Sequence, residues 1–513
     1  MSRARGRKAV AIAVMVALVL PLAGCLDAFL PPVVRSTSTP TGETVAADLE
    51  SFYSQSLEWK GCGNGLQCTT AEAPLDWSDP QRESISLALS RQVATGGTPL
   101  GSLLVNPGGP GASGYDLVLD SVDFATSEAL QEKYDIVGFD PRGVNESSAV
   151  SCYDEPEEFD AVLFDVLPGE YGDDEWLTAY ERMNARFGEA CEEHTGELLG
   201  YIDTVSAARD LDLLRAILGD THLNYLGYSY GTLLGAKFAE LYPGKTGRLV
   251  LDGAIDPSTT SQEVSVTQAK GFESALRAYL AQCIDGSDCP FTGTVEAGMK
   301  TIRTLLDRLD VSPLRNSDGR KLGSATMTIA IIYPLYSRDS WGALTSVFDD
   351  VMSGSAEYAF ELADGYYGRQ ADGSYATNST EAFLAINCLD YVTSSERADI
   401  RDEEEQLVDA APVLGRQLAY GGAICADWPF PPAWERGPIA AAGSADILVI
   451  GTTNDPATPY VWAKRLADQL ENGHLVTYDG EGHTAYNKGS SCVDDTVEAF
   501  LLEGTVPAKD PRC

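Results

Sequence analysis

Positive charge is scarce in this sequence and histidine scarcer still: 36 lysines and arginines face 76 aspartates and glutamates, with four histidines in 513 residues. A formal charge of −40 argues against recognising nucleic acid or bare anionic lipid by charge. No Cys-x-x-Cys pair occurs and the histidines do not cluster, so no zinc site, metal or cofactor is expected. After Leu20, no run is long and apolar enough to span a bilayer. The length exceeds one typical domain, and 44% hydrophobic residues suffice for a large core, so one elaborated domain with an insertion is expected.

The first residues address the chain to the outside. Arg3, Arg5, Arg7 and Lys8 precede an apolar stretch, Ala9 to Leu20, closed by Leu22-Ala-Gly-Cys25. That is the pattern of a signal peptide. Its ending resembles the bacterial lipobox, which implies acylation of Cys25; cleavage with Cys25 incidental is the alternative. Pro31-Pro32 and the polar Ser36 to Gly42 read as a flexible tether. The protein is thus expected outside the cell, lipid-anchored on the outer face of the bacterial membrane or secreted. Cysteine usage agrees with export: eleven cysteines less Cys25 leave ten. Local loop closure predicts the pairs Cys62 with Cys68, Cys152 with Cys191, Cys283 with Cys289, Cys388 with Cys425, and Cys492 with Cys513.

Chemistry concentrates at Gly227-Tyr228-Ser229-Tyr230-Gly231, which occurs once as a Gly-x-Ser-x-Gly pattern. An apolar run, Leu223 to Leu226, precedes it and a helical pattern, Leu233 to Leu241, follows, which is the strand-to-helix elbow that exposes a serine hydroxyl. A serine needs a base to take its proton and an acid to orient that base. His194 lies in an acidic segment, His222 precedes the elbow strand and His474 opens a strand, whereas His483 stands in a glycine-bracketed loop after the last predicted strand. His483 is the expected base. Asp455, in the turn-rich loop after the strand Ile447 to Gly451, is the expected acid, with Asp252 after Arg248 to Leu251 as runner-up. Ser229, Asp455, His483 is the chain order of the α/β-hydrolase triad.

An oxyanion needs two backbone donors, one from the residue after the nucleophile and one from an earlier strand-end loop. Tyr230 is the first, and Gly109, in Asn106-Pro-Gly-Gly-Pro-Gly111, the expected second. Gly109-Pro-Gly111-Ala-Ser-Gly114 with Asp135 also satisfies a dinucleotide fingerprint. Pro110 removes a phosphate-binding N–H, however, and a nucleotide site leaves the serine, aspartate and histidine loops unexplained.

Further strands are predicted at Ser84 to Leu89, Ser102 to Val105, Tyr134 to Phe139 and Leu475 to Tyr478, alternating with helices, hence a mostly parallel sheet. From Asp256 to about Trp428 helical patterns take over, as at Val295 to Leu309 and Trp341 to Met352. The expected organisation is residues 1–24 signal peptide, 25–50 tether, 51–256 first part of an α/β-hydrolase core, 257–428 helical cap, and 429–513 the rest of the core. Among the cap aromatics Tyr333, Tyr336, Trp341, Tyr358, Tyr366 and Tyr367, most are expected to pack internally and some to line a substrate pocket.

Asn106-Pro-Gly-Gly-Pro-Gly-Ala-Ser-Gly114, Gly138-Phe-Asp-Pro-Arg-Gly143, the Ser229 elbow, Ile386-Asn-Cys-Leu-Asp390, Asp455-Pro-Ala-Thr-Pro and Gly-His483-Thr together resemble the actinobacterial secreted tripeptidyl aminopeptidases, in the prolyl aminopeptidase group of α/β-hydrolases. The resemblance runs from Trp59 to Cys513. It implies an exopeptidase acting on peptides with free N-termini, with Ser229, Asp455 and His483 as triad and Gly109 and Tyr230 as oxyanion donors. Pro107 stands where prolyl aminopeptidases carry histidine, which fits the tripeptidyl branch. Such an enzyme must hold a substrate ammonium, and Asp390 is one candidate carboxylate. The alternatives are a cell-envelope carboxylesterase and a catalytically weak peptide-binding lipoprotein.

Overall fold

The computed structural model describes residues 35–513. The predicted signal peptide, Cys25 and the start of the tether lie outside the described residues. In chain order the strands are β1 (Arg35–Thr37), β2 (Glu58–Gly63), β3 (Leu66–Pro74), β4 (Ser84–Gln92), β5 (Ser102–Asn106), β6 (Asp135–Phe139), β7 (Leu223–Tyr228), β8 (Thr246–Asp252), β9 (Leu314–Arg315), β10 (Lys321–Leu322), β11 (Ile447–Asn454) and β12 (Gly473–Glu481). β9 and β10 form a small hairpin; the other ten make one sheet in the order β1-β2-β3-β4-β6-β5-β7-β8-β11-β12. β1 to β4 pair antiparallel, as β4 does with β6, and every pairing from β6 through β5 to β12 is parallel.

The centres of the parallel strands are apolar, as at Leu103–Val105, Leu249–Leu251 and Ile447–Ile450, because helices cover both faces. One face receives Thr204–Leu218 and Tyr230–Leu241, the other Gly114–Ala125 and Ser491–Glu503. Thr204–Leu218 begins where the Asp203 carboxylate accepts the Ser206 amide and ends at a left-handed Gly219. This is the α/β-hydrolase fold predicted from the sequence, and each of the seven predicted strands is present. The sequence reading missed β1 to β3.

Residues 35–50 depart from the expected tether. β1 pairs with β2, the Thr41 amide donates to Ala216 O at 2.9 Å, and the Glu43 carboxylate pairs with Arg215 at 2.8 Å and Lys245 at 2.7 Å. Two cations on distant helices hold this polar stretch against the core. The five predicted disulfides are all formed.

Between β8 and β11 run long helices, among them Ser261–Ile284, Val295–Val311, Ser324–Leu335, Trp341–Ser353 and Glu357–Tyr367. A reciprocal capping box, Thr260 with Glu263, starts the first of them. Their apolar faces build a second core around Leu276, Leu306, Ile331 and Phe348. Among the described residues no helix is long and apolar enough to cross a membrane.

Candidate active site

The elbow forms because two close approaches leave no room for side chains. A Cβ on Gly227 would stand 2.5 Å from Gly231 O, and one on Gly108 would stand 2.5 Å from Tyr228 O and 2.9 Å from Ser229 Cβ. The Asn106–Gly111 loop therefore lies directly against the serine. Ser229 itself takes φ 55° and ψ −121°, a conformation that L residues rarely adopt. Hydrogen bonds fix it there: its N–H donates to Asp252 O at 2.9 Å, and its carbonyl accepts from Thr232 N at 2.9 Å and Thr232 Oγ1 at 2.6 Å. The Tyr230 amide, first of the following helix, has no partner within that helix.

Asp455 and His483 meet at the ends of β11 and β12. Nδ1 of His483 lies 3.0 Å from each carboxylate oxygen of Asp455, whose side chain is fully buried while that of His483 remains partly accessible. The Ala457 and Thr458 amides both donate to Asp455 Oδ1 at 2.9 Å, and Thr484 N donates to Oδ2 at 3.3 Å. Thr458 Oγ1 donates to Oδ2 at 3.0 Å and lies 3.2 Å from His483 Nδ1. These donors aim the carboxylate at the ring, so Nδ1 carries the proton and Nε2 is left as the acceptor nitrogen of the imidazole.

Asp252 and Gly253 link the serine elbow to the histidine loop. Asp252 does not touch the His483 ring; its buried carboxylate accepts the Ala485 and Tyr486 amides at 2.9 and 2.8 Å while its carbonyl holds Ser229 N. A Cβ on Gly253 would lie 3.2 Å from His483 Cε1. Asp252 thus ties the elbow to the histidine loop. No hydrogen bond closes Ser229 Oγ onto His483 here, and such bonds commonly tighten when substrate arrives.

Tyr336 reaches the site from the helical stretch. Its carbonyl accepts His483 N at 2.8 Å and its ring packs edge-on against the imidazole at 5.4 Å. Lys488 Nζ donates to the His483 carbonyl at 2.8 Å. His483, Tyr336, Tyr228 and Pro107 border a cleft of about 770 Å³, and Gly109 and Pro110 border a second cavity of about 530 Å³. Tyr366 and Tyr367 line the latter, whereas Trp341 is core.

Asp390 is not a rim carboxylate. It is 2% exposed and accepts from the Thr204 amide at 3.0 Å, from Trp434 Nε1 at 2.7 Å and from the Thr204 hydroxyl, which also bonds the Tyr230 hydroxyl at 2.6 Å. Through the Thr204 hydroxyl the residue braces the Tyr230 side chain. Asp140 does the same for the opposite loop, accepting Ser113 Oγ at 2.6 Å, Tyr115 N at 3.1 Å and Glu146 N at 3.0 Å.

Burial pushes Asp140 and Asp390 up to about 6 and Glu381, which accepts the Cys152 amide, up to about 7. A carboxyl raised on folding contributes stability that is fully present below its unfolded value and is lost as pH rises through its folded value. The unfolding temperature is therefore expected to rise as pH falls from about 8 to about 5.5, measured by calorimetry, with Asp390→Asn flattening part of that slope. Stability that stays level or falls over this window contradicts the assignment.

A family profile described as "TAP-like protein" matches residues 411–513. Serine protease Hip1 of Mycobacterium tuberculosis is 35% identical over 488 residues, spanning 90% of this chain and 92% of that protein. The chain belongs to the TAP-like family of α/β-hydrolases. Carboxylesterase B of M. tuberculosis is 37% identical over 508 residues, 96% of each chain, and the tripeptidyl aminopeptidase of Streptomyces lividans 28% identical over 469 residues, 89% of this chain and 86% of that one. Family membership makes this protein a serine hydrolase. Three residues that position the site were missed in the sequence: Thr458 sat within a quoted motif, Tyr336 was one of six cap aromatics, and Asp252 was weighed only as an acid.

Proposed function

We propose that this protein is an exported serine exopeptidase that releases short peptides, tripeptides above all, from free N-termini. The observation that carries the reading is the buried Asp455 carboxylate on His483 Nδ1, set beside a serine in a strained elbow. His483 Nε2 takes the Ser229 proton as Oγ bonds to the scissile carbonyl carbon. The resulting oxyanion rests on the Gly109 and Tyr230 amides. His483 then gives its proton to the leaving amine as the C–N bond breaks, and water repeats the sequence to free the acid and restore Ser229. Relatives named as a tripeptidyl aminopeptidase and a serine protease support peptide substrates. Residues 257–428 are the proposed cap over this site, and Cys25 the proposed lipid anchor.

A relative named carboxylesterase B, matching 96% of this chain, favours an ester substrate as the second reading. Release of a chromogenic amine from a free tripeptide amide and from its N-acetylated twin separates the two. The exopeptidase cleaves the free peptide and spares the acetylated one. Equal cleavage of both moves the assignment to an esterase or endopeptidase, and cleavage of neither to a peptide-binding protein.

A further inference from the structure

The cavity of about 530 Å³ is bordered by Gly109 and Pro110 and walled mainly by apolar and aromatic side chains. A smaller recess of about 100 Å³ continues it, and the two share Val162, Tyr171, Trp176, Tyr180 and Met183. Asp310 and Ser324 line the recess. Asp310 Oδ2 and Ser324 Oγ are buried and lack a hydrogen-bond partner among the described residues. The same is true of Asn184 Nδ2 and Gln417 Oε1, which line the larger chamber. Orphaned buried polar atoms cost stability, so a cluster of them facing one cavity points to a ligand that satisfies them.

The Asp310 side chain is 7% exposed and its nearest cation is Arg416, with Nη1 at 3.7 Å, beyond hydrogen-bond reach. Nη2 of the same guanidinium donates to the Tyr171 carbonyl. Asp307 and Glu170 add further negative charge to the recess. A buried carboxylate that borders this recess, with the Ser324 hydroxyl and the Arg416 guanidinium as neighbours and no hydrogen bond to Oδ2 among the described residues, suits a cation with several N–H donors.

We propose that Asp310 anchors the substrate's N-terminal ammonium, with Ser324 beside it and Gln417 and Asn184 meeting the backbone of the first residues. This rests on the exopeptidase reading above. The walls ask for apolar side chains. Burial pushes the Asp310 carboxyl above its usual range, and an ammonium seated there favours its charged form.

The test is the ratio of kcat/KM for a free Ala-Ala-Ala chromogenic amide to that for its N-acetylated twin, in wild type and Asp310→Asn. The isosteric change is expected to lower the ratio by about 30-fold or more, mainly through KM of the free peptide. A fold defect slows both substrates alike; an unchanged ratio overturns the assignment of Asp310 while leaving the exopeptidase reading intact. A wild type without preference for the free peptide overturns both.

Discussion

Replacing Ser229 by alanine is expected to lower kcat on a free tripeptide amide by about 10⁵- to 10⁶-fold, leaving the fold and peptide binding in place. In the proposed mechanism the loss is this large because alanine removes the atom that would form the acyl-enzyme, while the oxyanion loop and chamber remain. The substitution costs little structurally. Ser229 is held by its backbone, through Asp252 O and Thr232, and its hydroxyl makes no hydrogen bond among the described residues. Alanine must adopt the same positive φ, so a modest loss of stability accompanies the loss of rate. Activity within about 100-fold of wild type would mean that another nucleophile does the work.

The second large effect is at Asp455. Asparagine in its place is expected to lower kcat by about 10⁴-fold at neutral pH. The carboxylate accepts from three amides, a hydroxyl and His483 Nδ1, and an amide side chain cannot accept from all of them. The imidazole then turns its lone pair to residue 455 and its proton to Ser229, which disables it as a base. Kinetics of the variant between pH 6 and 9 check this, since unfolding by calorimetry separates the tautomer effect from loop collapse. Asp252→Asn serves as the contrast: it releases the Ala485 and Tyr486 amides and is expected to loosen the histidine loop without changing the tautomer. A larger rate loss at Asp252 than at Asp455 would reverse the assignment of the acid.

How much of this was legible before the structure depends on range. The sheet's parallel strands read correctly because apolar runs such as Leu103 to Val105 are buried on both faces and closed by glycine loops. β2 and β3 did not, because Glu58-Trp-Lys-Gly-Cys-Gly63 is mostly exposed and its pairing rests on backbone bonds and the Cys62–Cys68 bridge. The segment from Ser36 to Gly42 looked like a linker from its composition. Its order comes from Glu43 finding Arg215 and Lys245, cations 172 and 202 residues away.

The site divides the same way. Ser229, Asp455 and His483 sit in loops with strong local turn chemistry, and the order of those loops along the chain is itself informative. Asp390 carried no sign that Thr204 and Trp434, 186 and 44 residues away, would absorb its carboxylate. Asp310 closes an amphipathic helix, Val295–Val311, where one more acidic residue resembles solvated surface. Only the cavity shows that its carboxylate is turned inward.

The central claim is that Ser229, activated by His483, forms the covalent intermediate. Intact-mass and peptide mapping after treatment with a fluorophosphonate test it directly in the full chain. One adduct on Ser229, absent from Ser229→Ala and slowed in Asp455→Asn, is the expected result. Equal labelling of Ser229→Ala, or an adduct on any other residue, would contradict the account.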